Sequence, residues 1–452
     1  MKRVARTPFP VFSLAKVGDT GSFCNTKSTK YTENPDKTRG KEAQFTTEGI
    51  IISEIAHLSL PLLTIVSQLK FNEMKNVVVL LMLSVLILSA CTGKTMKVEV
   101  NNASSLDKEN EMVAVSFQML TEKLALLQGS EFVILNDAGD QVPYQILTEG
   151  TGTPQSVIFP ATAKANSSVI YSIRAGKPED FASKVFGRHV PERKDDFAWE
   201  NNRVVFRMYG PALANENPSN GVDLWLKRTE ELIIDKFYHD ERELKKSYHV
   251  DHGQGLDCYK VGHTLGAGGV TPYYNDSLWV GDHYDSFRII ENGPLRFTFE
   301  LTYNSIPVDG KSVKQTVLIS LDAYSQMNKA IVSCEGDIES LQLAAGIFLH
   351  DVTDIVVSDK AAGYVAYAEN AVSDAGLASG RNYVAVVLPI IKDIKQDNIH
   401  ALAIADYQKE TPFTYYFGGG WSKFGFDTDE AWFDYVKEFA QKTKEPLVVQ
   451  VL

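Results

Sequence analysis

Positive charge is in short supply in this chain. Lys and Arg number 45 against 57 Asp and Glu in 452 residues, a net charge of −12. The first 91 residues run the other way, with 11 basic and 7 acidic side chains, so residues 92–452 carry −16. Nucleic acid needs basic patches, and so acidic a body excludes it as a partner. Cysteine is nearly absent, four in all. Only Cys258 and Cys334 follow Cys91, which excludes a scaffold held by several disulfides and leaves open whether those two pair. No unbroken apolar run reaches the ~20 residues that a membrane-spanning helix needs. There is no heptad, internal repeat, Pro-rich linker or low-complexity tract, which argues against coiled coils and solenoids. Gly266-x-Gly268-Gly269 is followed by no lysine-serine/threonine pair and opens no helix, so it is not a phosphate cradle. Glycine there serves a tight turn or a close approach.

What is present falls into three stretches. Met74-Lys75-Asn76 leads into an apolar run, Val77–Leu88, and then Ser89-Ala90-Cys91. A short basic start, about a dozen apolar residues and a small-residue cleavage site read as a secretory signal. Leu88-Ser89-Ala90-Cys91 resembles a bacterial lipobox, which implies a lipid on Cys91 and a membrane contact through that anchor alone. No acidic cluster follows the cysteine, so the expected location is the cell envelope, facing the periplasm. Residues 1–73 are then expected to be a spurious, disordered extension, 74–91 the signal peptide, and 92–452 a single domain.

Along 92–452, short runs of β-branched and aromatic residues alternate with turn signals, among them Met112–Phe117, Arg203–Tyr209, Phe297–Tyr303 and Ala330–Cys334. Such spacing predicts an all-β sandwich or barrel rather than alternating strands and helices. One helix is expected within Leu224–Leu244. A second follows Asp427-x-x-Glu430, where Trp432, Phe433, Val436, Phe439 and Ala440 share a face that reads as core. Residues 175–200 read as a long polar connection that lines the site.

The chemistry concentrates in Ser247–Arg296. Four of the nine histidines lie there, His249, His252, His263 and His283, with Asp251, Asp257, Asp282 and Asp285. A neutral imidazole abstracts a proton near physiological pH, and a neighbouring Asp251 would orient His249 or His252 as the general base. Tyr259 would protonate a leaving oxygen. Arg296, Lys260 and Arg193 would pair a substrate carboxylate. Trp279 and Tyr284 offer faces for sugar rings, and His263 and His283 hydrogen bonds. The competing reading is structural: the same side chains tie a long loop to the sheet. Asp251/Asp257 and Asp282/Asp285 are candidate carboxylate pairs for hydrolysis. His249, Asp251, His252 and His263 are of zinc-ligand type, but their spacing matches no closed site. No cofactor is expected, with a divalent ion such as calcium left open.

Three blocks carry a resemblance. They are Arg188-His189-Val190-Pro191-Glu192-Arg193 with Trp199-Glu200-Asn201-Asn202-Arg203 and Phe206-Arg207-Met208-Tyr209-Gly210-Pro211; Gly221-Val222-Asp223-Leu224-Trp225-Leu226-Lys227-Arg228; and the 247–296 stretch ending Gly293-Pro294-Leu295-Arg296. Together they resemble the bacterial lipoprotein family called domain of unknown function 4861. More loosely, the pattern is similar to galactose-mutarotase-like β-supersandwich proteins. That resemblance implies a β-supersandwich with a few peripheral helices, one near the C-terminus, and a carbohydrate ligand. The function expected is action on uronate-containing oligosaccharides or polysaccharide fragments, by β-elimination with a His base and a Tyr acid. A non-catalytic sugar-binding lipoprotein, a mutarotase or epimerase, and a glycoside hydrolase remain alternatives.

Overall fold

Alternation builds the framework. Thr95–Asn102 buries Met96, Val98, Val100 and Asn102 and turns the residues between them outward, the period of a strand with one face on a core. The computed structural model describes residues 94–126, 130–215 and 219–452. The expected leader at 74–91, Cys91 and the segment 1–73 lie outside the described residues.

Two small sheets close over an N-terminal core of Val98, Val100, Leu120, Phe159 and Ile173. One is five-stranded, in the order Val448–Val451, Thr95–Asn102, Ser167–Ala175, Phe132–Leu135 and Gln141–Val142. The other has three strands, Lys108–Ser116, Ser156–Ala163 and Gln145–Leu147. Helix α1 (Phe117–Leu124) turns Leu120 and Leu124 into this core.

The main body is a sandwich. Its larger layer is an eight-stranded antiparallel sheet that starts at the edge strand Ser286–Asn292, continues through Arg296–Val308 and Lys311–Asp322, and ends at Ile355–Asp359. Against it pack two five-stranded sheets. One is ordered Gly255–Asp257, Val222–Lys227, Val205–Met208, Asp196–Asn201 and Val185–Val190. The other contains Ala267–Tyr274, Gln342–Phe348 and His400–Asp406. A bridge from Val222 to Gly266 joins the two. Aromatic stacking fills the interface: Phe197 lies 4.4 Å from Phe299, and Trp199 4.7 Å from the same ring. The Trp199 indole donates to Asn328 Oδ1 at 2.8 Å, which satisfies a buried N–H across the layers. At Gly187 any Cβ would sit 2.3 Å from the Phe297 ring, so only glycine lets the layers approach this closely.

The all-β expectation with peripheral helices holds, and one helix lies near the C-terminus. Among the described residues no helix is long and apolar enough to cross a membrane. Helix α2 (Ile234–Leu244) is shorter than the Leu224–Leu244 window. Leu224 belongs to the strand Val222–Lys227, which is buried on both faces and so shows no alternation to betray it. Helix α3 (Asp429–Lys444) is capped by Thr428, which accepts from Ala431 N at 3.1 Å, one residue later than the capping box from Asp427. Trp432, Val436 and Ala440 are buried and Phe433 packs against the same cluster, as the helical face predicts. The 175–200 stretch is not a plain connection: Val185–Val190 and Asp196–Asn201 are strands, with a short 3-10 turn at Pro191–Arg193 between them. Cys258 and Cys334 are both free thiols.

Candidate functional site

The register of the five-stranded sheet creates the site. Val205 pairs with Trp225 and Trp225 with Asp257, while Arg207 pairs with Asp223. Cross-strand partners share a face. Arg207, Asp223, Trp225 and Asp257, with Asp196 and Glu200 from the neighbouring strand, therefore all point away from the sandwich core. Helix α2 roofs this face, with Phe237 stacked 5.9 Å from Trp225 and Tyr248 stacked 5.2 Å from it on the following loop.

At one end of the face Glu200 and Lys227 form a fully buried ion pair at 2.7 Å. The second Glu200 oxygen accepts from Ile233 N and Ile234 N at 2.7 and 2.8 Å. A carboxylate set on those two amides compensates the free N–H groups and positive dipole end of α2. Every polar group of this pair is engaged, so its role is to seat the roof.

The other end is a charged nest. Arg207, 2% exposed, places Nη2 at 2.6 Å from Asp223 and 2.8 Å from Asp257, with Nε 3.8 Å from Asp196. The Trp225 indole donates to Asp223 Oδ2 at 3.0 Å. Arg207 also donates to the hydroxyls of Tyr209 and Tyr248, at 3.3 and 3.4 Å. Burial pushes the Asp196 carboxyl up to about 6, with Arg207 and Arg193 pulling it back. Burial likewise raises Asp223 and Asp257, against the opposing pull of Arg207.

His249 sits on this nest. Its Nδ1 is 3.0 Å from the Asp257 carbonyl oxygen. A carbonyl only accepts, so Nδ1 carries a hydrogen, and in the neutral ring the lone pair is on Nε2. The Asp257 and Asp374 carboxylates stand 3.5 and 3.8 Å from the same Nδ1. Lys260 also reaches Asp374, at 3.8 Å, and 77% of its side chain is exposed. Arg193, half-buried, bonds the Tyr248 hydroxyl and faces Asp196 at 3.7 Å. His249, Lys260 and Arg193 thus gather at the rim, linked through Asp374 and Tyr248.

The other sequence-chosen residues are dispersed. His252 is exposed, its Nε2 3.0 Å from the Ser247 carbonyl. Asp251 accepts from Gly253 N at 2.8 Å and faces Arg228, which ties its own loop. Tyr259 is buried in the core, its hydroxyl turned to the Phe348 carbonyl at 3.4 Å. Trp279 is half-buried and donates to the Tyr274 carbonyl. His263 is exposed. Tyr284 is buried and donates to the Asp195 carbonyl. His283 is buried with Nδ1 on Asp282 at 2.6 Å, and its Nε2 has no hydrogen-bond partner among the described residues. Its ring is 6.5 Å from Tyr209, at the edge of the nest. Arg296 lies on the far face of the eight-stranded sheet, paired with Asp322 through two nitrogens at 2.5 and 2.7 Å. The whole sandwich separates it from His249. Among the described residues no group of three His, Cys, Asp or Glu side chains is arranged to hold a metal ion.

Sequence reasoning passed over Asp223, Tyr209, Tyr248 and His350. The signal was there for Asp223, and for Arg207, which reads from sequence as one half of a structural ion pair with an Asp. Each is a charge inside a largely apolar strand, Val205–Met208 and Val222–Lys227, and a charge at such a position must be paired when buried. His350 is behind the rim. Its Nδ1 meets Glu369 at 2.8 Å and its Nε2 the Lys260 carbonyl at 2.7 Å. Burial disfavours the charged ring, but the Glu369 hydrogen bond and charge outweigh it and raise the pKa above the ordinary 6.5. With both nitrogens donating, His350 is an imidazolium that fixes the segment carrying Lys260. Such a group stabilises the fold fully below its unfolded pKa, and the contribution is lost as pH rises through the folded pKa. The melting-temperature gap between the native chain and His350→Gln should therefore be widest in mild acid and shrink above neutrality. A gap that widens with pH would show the ring to be neutral.

A family model described as a domain of unknown function (DUF4861) matches residues 100–449. The uncharacterized protein P7 of Formosa agariphila is 30% identical over 322 residues, covering 66% of this chain and 79% of that protein. Among solved structures, a protein in the glycosyl hydrolase family 38 from Enterococcus faecalis aligns with a TM-score of 0.48 and 9% identity, over 80% of this chain and 48% of that one. An alpha-mannosidase from Enterococcus faecalis V583 aligns with a TM-score of 0.42 and 9% identity, over 79% of this chain and 46% of that one. The chain spans about half the length of these two structures.

Proposed function

This chain belongs to the DUF4861 family, whose name assigns no reaction, and from its site we propose a carbohydrate-active protein that takes a proton from a uronate-containing oligosaccharide and cleaves it by β-elimination. The observation that carries the reading is the rim. There His249, with its Nε2 lone pair held available, and Lys260 converge on Asp374 above the Arg207 nest.

In this reading Lys260 and Arg193 bind the uronate carboxylate and acidify the adjacent C–H. His249 Nε2 removes that proton. The C–H electron pair becomes the ring double bond as the glycosidic C–O bond breaks. The leaving oxygen takes a proton from Tyr209, which keeps partial exposure while Tyr238, Tyr248 and Tyr259 are buried. Burial raises the Tyr209 hydroxyl pKa, so it stays protonated and able to donate. Arg207 and the three aspartates orient the set and do not touch substrate. The protein is exported and held to the cell envelope through Cys91, facing the periplasm.

One observation favours a second reading. The carboxylates of Asp196, Asp223, Asp257 and Asp374 outnumber Arg193, Arg207 and Lys260, which suits a neutral sugar. Proton transfer on such a ring by His249 and a protonated carboxyl would be mutarotation. The two readings separate in one experiment, in which the purified chain is incubated with uronate-containing oligosaccharides and, separately, with freshly dissolved neutral aldoses. Ultraviolet absorbance of an unsaturated product supports elimination. Accelerated decay of optical rotation without absorbance supports mutarotation instead and sinks the first.

A further inference from the structure

A cavity of about 410 Å³ lies on the outer face of the eight-stranded sheet, roofed by α3 and by the strand Lys108–Ser116. It shares no residue with the nest. Arg296, Asp322 and Lys329 form part of its floor, and Tyr416, Tyr435 and Phe439 part of its walls.

Of the charges on the floor, Arg296 and Lys329 face one carboxylate, Asp322. Arg296 pairs with Asp322, and the register sets Lys329 across from Ser320 on the adjoining strand. Among the described residues Lys329 makes no ion pair or side-chain hydrogen bond. Its pKa is lowered by desolvation and by the Arg296 charge, with the Asp322 carboxylate pulling part of the way back. The other charges near the roof are engaged, Glu111 with Lys108 at 3.2 Å and Lys442 with Glu438 at 3.6 Å. Glu109 stands exposed at the mouth. The walls are aromatic, with Tyr416 edge-on to Phe439 at 5.3 Å and Tyr435 at 6.2 Å from the same ring. An accessible cation without an ion pair, beside aromatic walls, fits a flat or chair-shaped ring that bears one carboxylate.

We propose that this cavity is a second binding site, for a small ring carboxylate, with Lys329 as the counter-ion. The ligand is either a uronic acid or an aromatic acid, which share this chemistry. The proposal stands apart from the reaction at His249.

Titration calorimetry on the full chain tests it, with sodium glucuronate, sodium benzoate and glucose as probes. At least one acid should bind and glucose should not, and the acid that binds identifies the source. Lys329→Met should weaken binding roughly tenfold or more, since a charge-assisted bond is worth about 1.5–3 kcal/mol. Lys329→Arg should keep it within about threefold, and His249→Ala should leave it unchanged. Binding should also weaken at higher salt in the unmutated chain, a readout independent of any variant's folding. No heat with either acid, equal affinity for glucose, or full affinity in a folded Lys329→Met would overturn the proposal.

Discussion

His249→Ala should lower kcat/KM for the eliminated oligosaccharide by about 10²–10⁴-fold, the range by which a positioned base accelerates proton transfer. The chain should still fold, because the ring is 31% exposed and its one hydrogen bond is to a backbone carbonyl. Added imidazole should restore part of the lost rate by occupying the space left by the side chain, which a merely structural histidine would not permit. Lys260→Ala belongs in the same series. It should raise KM and lower kcat together, since its ammonium both binds the carboxylate and stabilises the charge that builds on it as the proton leaves. Unchanged turnover in His249→Ala, measured by absorbance of the unsaturated product, would remove this residue from the chemistry.

Arg207→Met should destabilise the fold by about 3–5 kcal/mol, the usual cost of removing one partner from a buried ion pair. The guanidinium lies within 2.6 and 2.8 Å of two carboxylates that have almost no solvent contact. Without it Asp223 and Asp257 face each other unneutralised. Their pKa values, already raised by burial, should climb further. A folded carboxyl with a raised pKa binds its proton more tightly than the unfolded chain does. The variant should therefore lose stability as pH rises from the ordinary carboxylate range through the folded pKa values, and regain it in acid. Urea titration at several pH values measures this directly. Adding Asp223→Asn and Asp257→Asn to the same chain should return part of the loss, since the repulsion then disappears. A loss below about 1 kcal/mol would mean that water, rather than Arg207, compensates the nest.

The readability of this protein differs by element. Helix α3 was legible because Trp432, Val436 and Ala440 repeat at helical spacing and face one core. The outer strands were legible because alternation survives wherever one face meets solvent. Val222–Lys227 was not, since burial on both sides erases the period. The histidine-rich stretch stands out in the sequence, yet of its four histidines it is His249 that joins the nest by direct contact with Asp257. Asp251 and His252, its near neighbours, are spent on the turn that presents it. Tyr259 and Arg296 have the right chemistry in the wrong places, one in the core and one behind the eight-stranded sheet.

By itself, the sequence determined the β-rich class, the C-terminal amphipathic helix and the family. These depend on composition, local periodicity and short motifs, which are properties of neighbouring residues. Only the tertiary structure decided that Arg207, Asp223 and Asp257, spread over fifty positions of chain, share one face, that His249 leans on them, and that Lys329 lines a cavity with Arg296 and Asp322. Register and layer stacking set such meetings, and a one-residue slip of either strand would send Arg207 or Asp223 into the opposite face of the sheet.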